Sequence, residues 1–189
     1  MSIVLASQSP RRKELLAQMG LEFEIIPAKG EEKADPSLPP AEYVQQLSLQ
    51  KAAEVARRCA PDDVVIGADT IVVLDGQILG KPRDAAHAFE MLSGLSGRCH
   101  TVYTGLALLR GGEQRLDAVA TQVRFRSLTE QEILAYIATG EPMDKAGAYG
   151  IQGMGALLVD SIQGDFYNVV GLPVCRLGRM LARFGIKIL

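Results

Sequence analysis

Apolar and polar positions follow two different periods along this 189-residue chain. Short apolar runs at residues 3–6, 22–26 and 63–67 predict buried strands, because such runs bounded by turn signals fit strands better than helices. Residues 40–59 repeat their apolar positions at helical spacing, which predicts a long helix. Helices and strands alternate while hairpin signals are frequent, so the pattern favours a mixed α/β sheet.

Turn and cap residues predict the remaining boundaries. Ser9 followed by Pro10 predicts the start of a helix that Gly20 ends, and Thr129 with Glu132 forms a capping-box pattern for another. The further predicted elements are strands at 70–74, 101–109, 115–126, 156–162, 166–170 and 186–189, and helices at 84–93, 129–140 and 173–184.

Residues 144–153 are the most informative stretch, because their glycines recur at every third position. Neither a helix nor a strand favours so much glycine. The stretch is therefore predicted to be a loop whose backbone passes close to another group. Asp144, Lys145 and Gln152 are its polar side chains.

Composition and charge exclude some classes of protein. The chain is 48% hydrophobic and 22% charged, which is ordinary for a globular domain. Its formal net charge of -2 argues against stable nucleic-acid binding, and no apolar run approaches the ~20 residues that span a membrane. Cys59, Cys99 and Cys175 lack Cys-x-x-Cys spacing, so they are interpreted as free thiols of a cytoplasmic protein.

Three consecutive cations, Arg11, Arg12 and Lys13, follow Pro10 at the start of a predicted helix. A helix N-terminus carries a partial positive charge, so cations are normally disfavoured there unless an anion binds. The cluster therefore predicts a phosphate site. The alternative is that these side chains point into solvent or pair with carboxylates.

Two acidic positions are candidates for chemistry. Asp69 lies between apolar strands, so its carboxylate is predicted to be partly buried and to need a partner. The alternative is a structural aspartate that caps a turn or pairs with a lysine. Glu31 and Glu32 lie in a predicted loop, where a surface charge run is the ordinary interpretation.

At these segments the sequence resembles the Maf family of nucleoside triphosphate pyrophosphatases, and the resemblance covers nearly the whole chain. Seven blocks in the family's order make a chance match untenable. They are residues 7–12, 51–52, 67–70, 81–82, 100–105, 144–153 and 167–173.

The resemblance implies a fold and an activity. The expected fold is a single α/β domain over residues 1–189, with an elongated two-lobed mixed sheet, flanking helices and a central cleft, similar to inosine triphosphate pyrophosphatases. The expected activity is that of a nucleoside triphosphate diphosphatase, in a cytoplasmic homodimer. The alternative is a nucleotide-binding regulator of cell division or septation in which catalysis is weak or incidental.

The resemblance also assigns roles to residues. It makes Asp69 the catalytic residue, either as a general base or as a metal ligand, and it gives Glu32 a share in holding Mg²⁺ or Mn²⁺. It gives substrate-binding roles to Ser7, Arg11, Arg12, Lys51, Thr70, Lys81 and Gln152.

Three of these residues carry a prediction about the substrate. One branch of the family prefers dTTP and UTP and carries Arg, Thr and Gln at three positions, whereas the branch that prefers 7-methyl-GTP carries Trp, Gln and Glu. This chain has Arg11, Thr70 and Gln152, so it resembles the dTTP/UTP branch. The cellular role implied is the removal of modified pyrimidine nucleotides.

Overall fold

The structure, a computed structural model, describes residues 1–30 and 33–189. Within that part of the chain no helix combines the length and the apolar character needed to cross a membrane. The strands are β1 (Ile3–Leu5), β2 (Glu24–Ile25), β3 (Val64–Leu74), β4 (Gln77–Leu79), β5 (Cys99–Arg110), β6 (Glu113–Phe125) and β7 (Val159–Gln163). The α-helices are α1 (Pro10–Gln18), α2 (Pro40–Ala56), α3 (Ala85–Leu95), α4 (Glu130–Ala138), α5 (Phe166–Val170) and α6 (Val174–Arg183). Short 3₁₀ helices cover Glu141–Asp144, Ala146–Ala148 and Gly153–Leu158.

The described strands form one sheet of both parallel and antiparallel pairs. Its order is β2-β1-β3-β5-β6-β7, with β4 paired to β3. Strand β1 runs parallel to β2 and to β3, and Val4 lies opposite Val65. Strand β4 is antiparallel to β3, and β7 is antiparallel to β6. The mixed α/β class predicted from the sequence is therefore confirmed.

The chain divides into two compact units. Unit 1 comprises Met1–Asp69, Thr104–Val119 and Gly171–Leu189, and unit 2 comprises Thr70–Tyr103 and Ala120–Val170. Strands β3, β5 and β6 each contribute residues to both units. A single domain with a central cleft stays a prediction.

The core of unit 1 lies where α2 covers β1, β3 and β5. Val4, Val65 and Ala107 from the strands pack with Ala52 and Val55 from the helix, and all five are buried. The parallel pair β1–β3 consists of consecutive buried residues because strands in the middle of a covered sheet have no solvent face.

Two glycines let α2 come unusually close to the sheet. A Cβ on Gly67 of β3 would lie 2.2 Å from the Ser48 carbonyl oxygen, and one on Gly105 of β5 would lie 2.3 Å from that of Val44. Real Cβ atoms do not approach backbone oxygens this closely. The observed packing of α2 on the sheet therefore requires glycine at both positions.

The core of unit 2 contains a buried aromatic cluster. His100, Phe125 and Tyr149 pack edge to face with ring centroids 4.7–5.3 Å apart. A 2.8 Å hydrogen bond joins His100 Nε2 to the Tyr149 hydroxyl. His100 Nδ1 is buried without a hydrogen-bond partner among the described residues. His100 is thus part of the core of unit 2.

Several predicted elements differ from the observed ones. The two strands predicted at 63–67 and 70–74 are one strand, β3 (Val64–Leu74). Gly67 does not break the strand; its missing side chain leaves room for α2. The predicted strand at 166–170 is wrong, since these residues form α5, where Asp165 Oδ1 accepts from the Tyr167 and Asn168 N–H groups at its start. No strand forms at 186–189.

Substituting Gly67 tests the seat of α2. Gly67→Ala is expected to destabilise the protein by about 1–3 kcal/mol, because the new methyl group must displace backbone atoms of the helix. Chemical denaturation measures this loss. The matched control is Gly94→Ala in α3, where the nearest atom would be 3.8 Å away and alanine favours the helix. Equal stability of Gly67→Ala and the wild type would contradict the expectation.

The buried histidine predicts a dependence of stability on pH. Burial lowers the pKa of His100 to about 4 from 6.5. Between these two pH values His100 is therefore protonated in the unfolded chain and neutral in the folded chain. The contribution is fully present above pH 6.5 and is lost as the pH falls toward 4, on the order of 3 kcal/mol in total. His100→Gln should flatten the stability profile over this window in urea titrations. An unchanged profile would show that His100 does not titrate with unfolding.

Candidate active site

The clearest polar pair in unit 1 joins Lys51 of α2 to Asp69 of β3. Lys51 Nζ lies 2.5 Å from Asp69 Oδ1, and the side chains are only 13% and 12% exposed. This geometry follows from the close packing of α2 against Gly67. Asp69 shares a strand face with Gly67, and Lys51 lies one helical turn beyond Ser48, the residue that Gly67 contacts. The predicted partner of the buried carboxylate is therefore a lysine.

Arg12 ties three separate segments of unit 1 together. Its Nε donates to the Gly171 carbonyl at 2.9 Å, and its Nη1 donates to the Ala68 carbonyl at 2.9 Å and to Ser7 Oγ at 3.2 Å. Ala68 directly precedes Asp69 in the strand. Arg12 thus fixes the backbone beside the candidate carboxylate, a role that the sequence did not predict.

The start of α1 differs from an ordinary capped helix. Ser9 occupies the cap position with an extended backbone, but its side chain makes no cap hydrogen bond. Instead, the Ser9 N–H donates to Ser7 Oγ at 3.2 Å. Ser7 is buried, while Arg11 and Arg12 are half-buried and Lys13 is exposed. The cations thus occupy unequal environments at the start of α1.

Another face of α2 binds backbone groups on both sides of the predicted metal ligand in the sequence. Glu54 accepts from the Lys29 and Gly30 N–H groups, and Gln50 Oε1 accepts from the Lys33 N–H at 3.1 Å. These backbone hydrogen bonds hold the pKa of Glu54 below its usual value. Glu32 itself lies outside the described residues, so its proposed role stays a prediction.

Unit 2 contains the other predicted substrate-binding residues, Thr70, Lys81 and Gln152. Thr70 lies on the same face of β3 as Val72, and Gly147 of the glycine-rich loop packs against the Val72 side chain. The exposed Lys81 follows Gly80, whose carbonyl accepts from the Gly147 N–H at 3.0 Å.

The glycine-rich loop is therefore held against β3 and against the loop that carries Lys81. It forms 3₁₀ turns at Ala146–Ala148 and Gly153–Leu158, and Gln152 is an exposed residue with an extended backbone between them. The prediction of a loop in close backbone contact with its neighbours is confirmed.

Two residues of unit 2 that support this loop were missed from the sequence. Tyr136 of α4 and Glu141 hydrogen-bond to backbone N–H groups of the loop on either side of Gln152. Tyr136 resembles an ordinary core position of α4, and Glu141 resembles a surface residue after Gly140. The available signal was the loop itself, whose irregular backbone leaves N–H groups that need acceptors.

Few side chains are placed to hold a cation. The described residues form no group of three or more acidic, histidine or cysteine side chains able to hold a metal ion. Asp69 is one nearly buried carboxylate, and hard cations such as Mg²⁺ bind proteins through one or two carboxylates while substrate oxygens and waters complete the shell. A divalent cation held by Asp69 would therefore take most of its ligands from substrate and water.

Comparison with known proteins assigns the family. The sequence profile described as Maf-like protein matches residues 2–184. Because that match spans nearly the whole chain, the chain belongs to the Maf family.

Among similar curated proteins, one from Moorella thermoacetica is 53% identical over 98% of this chain and 96% of its own length. Another, from Symbiobacterium thermophilum, is 53% identical over 98% of this chain and 95% of its own. Both are named dTTP/UTP pyrophosphatase. A solved nucleoside-triphosphatase / dITP/XTP pyrophosphatase from Mycobacterium abscessus aligns over 97% of both chains, with a TM-score of 0.48 and 16% identity.

The contacts of Arg12 predict that it stabilises the fold. Arg12→Ala removes charged donors from the Ala68 and Gly171 carbonyls, so it should cost about 1.5–3 kcal/mol of unfolding free energy. Urea denaturation measures the loss. Lys13→Ala, an exposed cation in the same helical turn, is the matched control and should stay within about 0.5 kcal/mol of wild type. An Arg12→Ala variant as stable as the control would reduce Arg12 to a ligand-binding role.

Proposed function

We propose that this chain hydrolyses dTTP and UTP to the nucleoside monophosphate and pyrophosphate. Two relatives that are 53% identical over 98% of the chain carry the name dTTP/UTP pyrophosphatase, which supports a nucleotide pyrophosphatase activity. The nearly buried pair of Asp69 and Lys51 is the structural observation that supports it most directly. Such a pair offers a proton acceptor and a fixed cation side by side.

Asp69 is the proposed general base. A water molecule attacks the α-phosphorus, the bond from the α-phosphorus to the bridging oxygen breaks, and pyrophosphate leaves with that oxygen. Asp69 accepts the proton that the water loses. Lys51, 2.5 Å from Asp69 Oδ1, orients the carboxylate. General base catalysis of this kind contributes typically about 10²–10⁴-fold to the rate.

The cations of the candidate site would stabilise negative charge on the phosphates. Arg11 and Lys51 are proposed for this role in unit 1, and Lys81 is proposed in unit 2. Two nitrogens of Arg12 already donate to protein oxygens. Arg12 is therefore proposed to act chiefly by fixing Ser7 and the backbone next to Asp69. Fixed donors that meet developing charge are typically worth about 3 kcal/mol each in the transition state.

A divalent cation, Mg²⁺ or Mn²⁺, is part of the proposal. Glu32 would hold it, and Asp69 would share in holding it if Asp69 acts as a metal ligand instead of as the base. When bound, it supplies positive charge that polarises a phosphoryl oxygen. Removal of the metal with EDTA is expected to abolish turnover, and added Mg²⁺ or Mn²⁺ to restore it.

Arg11, Thr70 and Gln152 are proposed to select the base. The amide of Gln152 offers one donor and one acceptor, which suits the carbonyl and ring N–H of a uracil or thymine edge. Its exposed position on an otherwise tied loop supports this role. Modified pyrimidine nucleotides with the same edge are the proposed cellular substrates, and a cytoplasmic homodimer is the proposed form of the enzyme.

Asp69→Asn tests the mechanism. It keeps the shape of the side chain but removes the base and the negative charge, so kcat on UTP should fall about 10²–10⁴-fold. The measurement is pyrophosphate release from a panel of nucleoside triphosphates with Mg²⁺ or Mn²⁺, with circular dichroism as the folding check. Asp62→Asn, at an exposed position, is the matched control and should retain wild-type activity.

Two outcomes would change the proposal. Activity of Asp69→Asn within a few-fold of wild type would remove Asp69 from the mechanism. Nucleotide binding without turnover in the wild-type protein would instead favour the nucleotide-binding regulator.

A further inference from the structure

Three backbone N–H groups around Gln152 donate hydrogen bonds to two side chains of unit 2. The Gly150 N–H donates to the Tyr136 hydroxyl at 3.2 Å. The N–H groups of Met154 and Gly155 donate to the carboxylate of Glu141 at 3.0 and 3.1 Å. We call Tyr136, Glu141 and these three bonds the loop clamp.

The two side chains of the clamp are joined to each other. The Tyr136 hydroxyl donates to Glu141 Oε1 at 2.9 Å while it accepts from Gly150. Burial acts to raise the pKa of Glu141, but the hydrogen bonds from Tyr136, Gly155 and Met154 outweigh it and hold the pKa below its usual value. Glu141 therefore stays a carboxylate that can accept all three bonds.

Glycines make the clamp possible. A Cβ on Gly153 would lie 2.8 Å from Glu141 Oε2, and its backbone has φ of +74°, which favours glycine for a second reason. A Cβ on Gly155 would lie 2.0 Å from the Gly150 carbonyl oxygen and 2.7 Å from the Tyr136 hydroxyl. Glu141 therefore requires glycine at 153, and Tyr136 together with the Gly150 carbonyl requires it at 155.

The clamp holds both ends of the segment from Gly150 to Gly155 and leaves Gln152, Gly153 and Met154 exposed between them. Of these three residues, Gln152 has the polar side chain. Lys145 also supports the first end, because its Nζ donates to the Glu141 carbonyl at 2.6 Å and its side-chain carbons pack against Gly150. Because the backbone is fixed on both sides of Gln152, little backbone conformational entropy is lost when the side chain binds a ligand.

We infer that Tyr136 and Glu141 are positioning residues for base selection, which fix the backbone of the 150–155 segment so that the Gln152 amide meets the pyrimidine edge in one orientation. This inference rests on the proposed function. Neither residue is required to touch the substrate. Both act through Gln152, so their effect should fall on discrimination between bases and not on the chemical step.

Substitution of Tyr136 and Glu141 tests the inference. Tyr136→Phe removes the acceptor of the Gly150 N–H and the donor to Glu141, and Glu141→Ala removes the acceptors of Met154 and Gly155. Each should lower the ratio of kcat/KM on UTP to kcat/KM on ATP about ten-fold, mainly through KM on UTP. Glu141→Gln keeps an acceptor oxygen and should retain part of the selectivity. Tyr43→Phe and Glu90→Gln, away from the clamp, are the matched controls.

A double substitution separates positioning from general damage. In a Gln152→Ala background the selectivity is already lost, so adding Tyr136→Phe should change the ratio by less than about two-fold. A full ten-fold effect in that background would overturn the inference. So would equal losses on UTP and ATP in the single variants, since these would indicate a general structural role.

Amide hydrogen exchange provides a readout that needs no activity. The Gly150 amide in Tyr136→Phe, and the Met154 and Gly155 amides in Glu141→Ala, should exchange about ten-fold faster or more than in the wild type. Wild-type exchange rates in both variants would overturn the inference. A wild-type enzyme that hydrolyses UTP and ATP equally would refute base selection and the inference with it. A wild-type preference for UTP that persists in both variants would overturn the inference alone.

Discussion

The close seat of α2 on the sheet is the constraint on which most of unit 1 depends. Gly67 and Gly105 remove the two side chains that would hold the helix away. With the helix so close, a lysine on its next turn reaches a strand carboxylate, and its neighbouring polar face reaches the backbone N–H groups of Gly30 and Lys33. A nearly buried ion pair costs desolvation that only good geometry repays, so this pair depends directly on the glycines.

Unit 2 solves a different problem, which is how to keep an irregular segment in one conformation. A glycine-rich backbone has high conformational freedom and unpaired N–H groups. Here one carboxylate and one phenol hydroxyl satisfy three of those groups, and the carboxylate is itself satisfied by the phenol. The segment thereby gains the rigidity that regular secondary structure would otherwise supply.

The sequence predicted most elements but fewer of the contacts. Thr129 caps its helix as predicted, because capping depends on residues close in sequence. The error at 166–170 came from apolar β-formers that tertiary context folds into α5. The pairing of Lys51 with Asp69 and the loop clamp join residues whose proximity depends on packing, so local patterns could not reveal them. Glycine spacing marked both regions without identifying the neighbours.

Arg12 also has a consequence for the order of folding. Helix α1 has no acidic residue in its first turn, no basic residue in its last and no side-chain cap, so little in its own sequence stabilises it. Arg12 joins its first turn to carbonyls 56 and 159 residues away along the chain. Contacts of such separation require long loops to close first. The first helix of the chain should therefore be among the last to become stable, after the segment near Gly171 has docked.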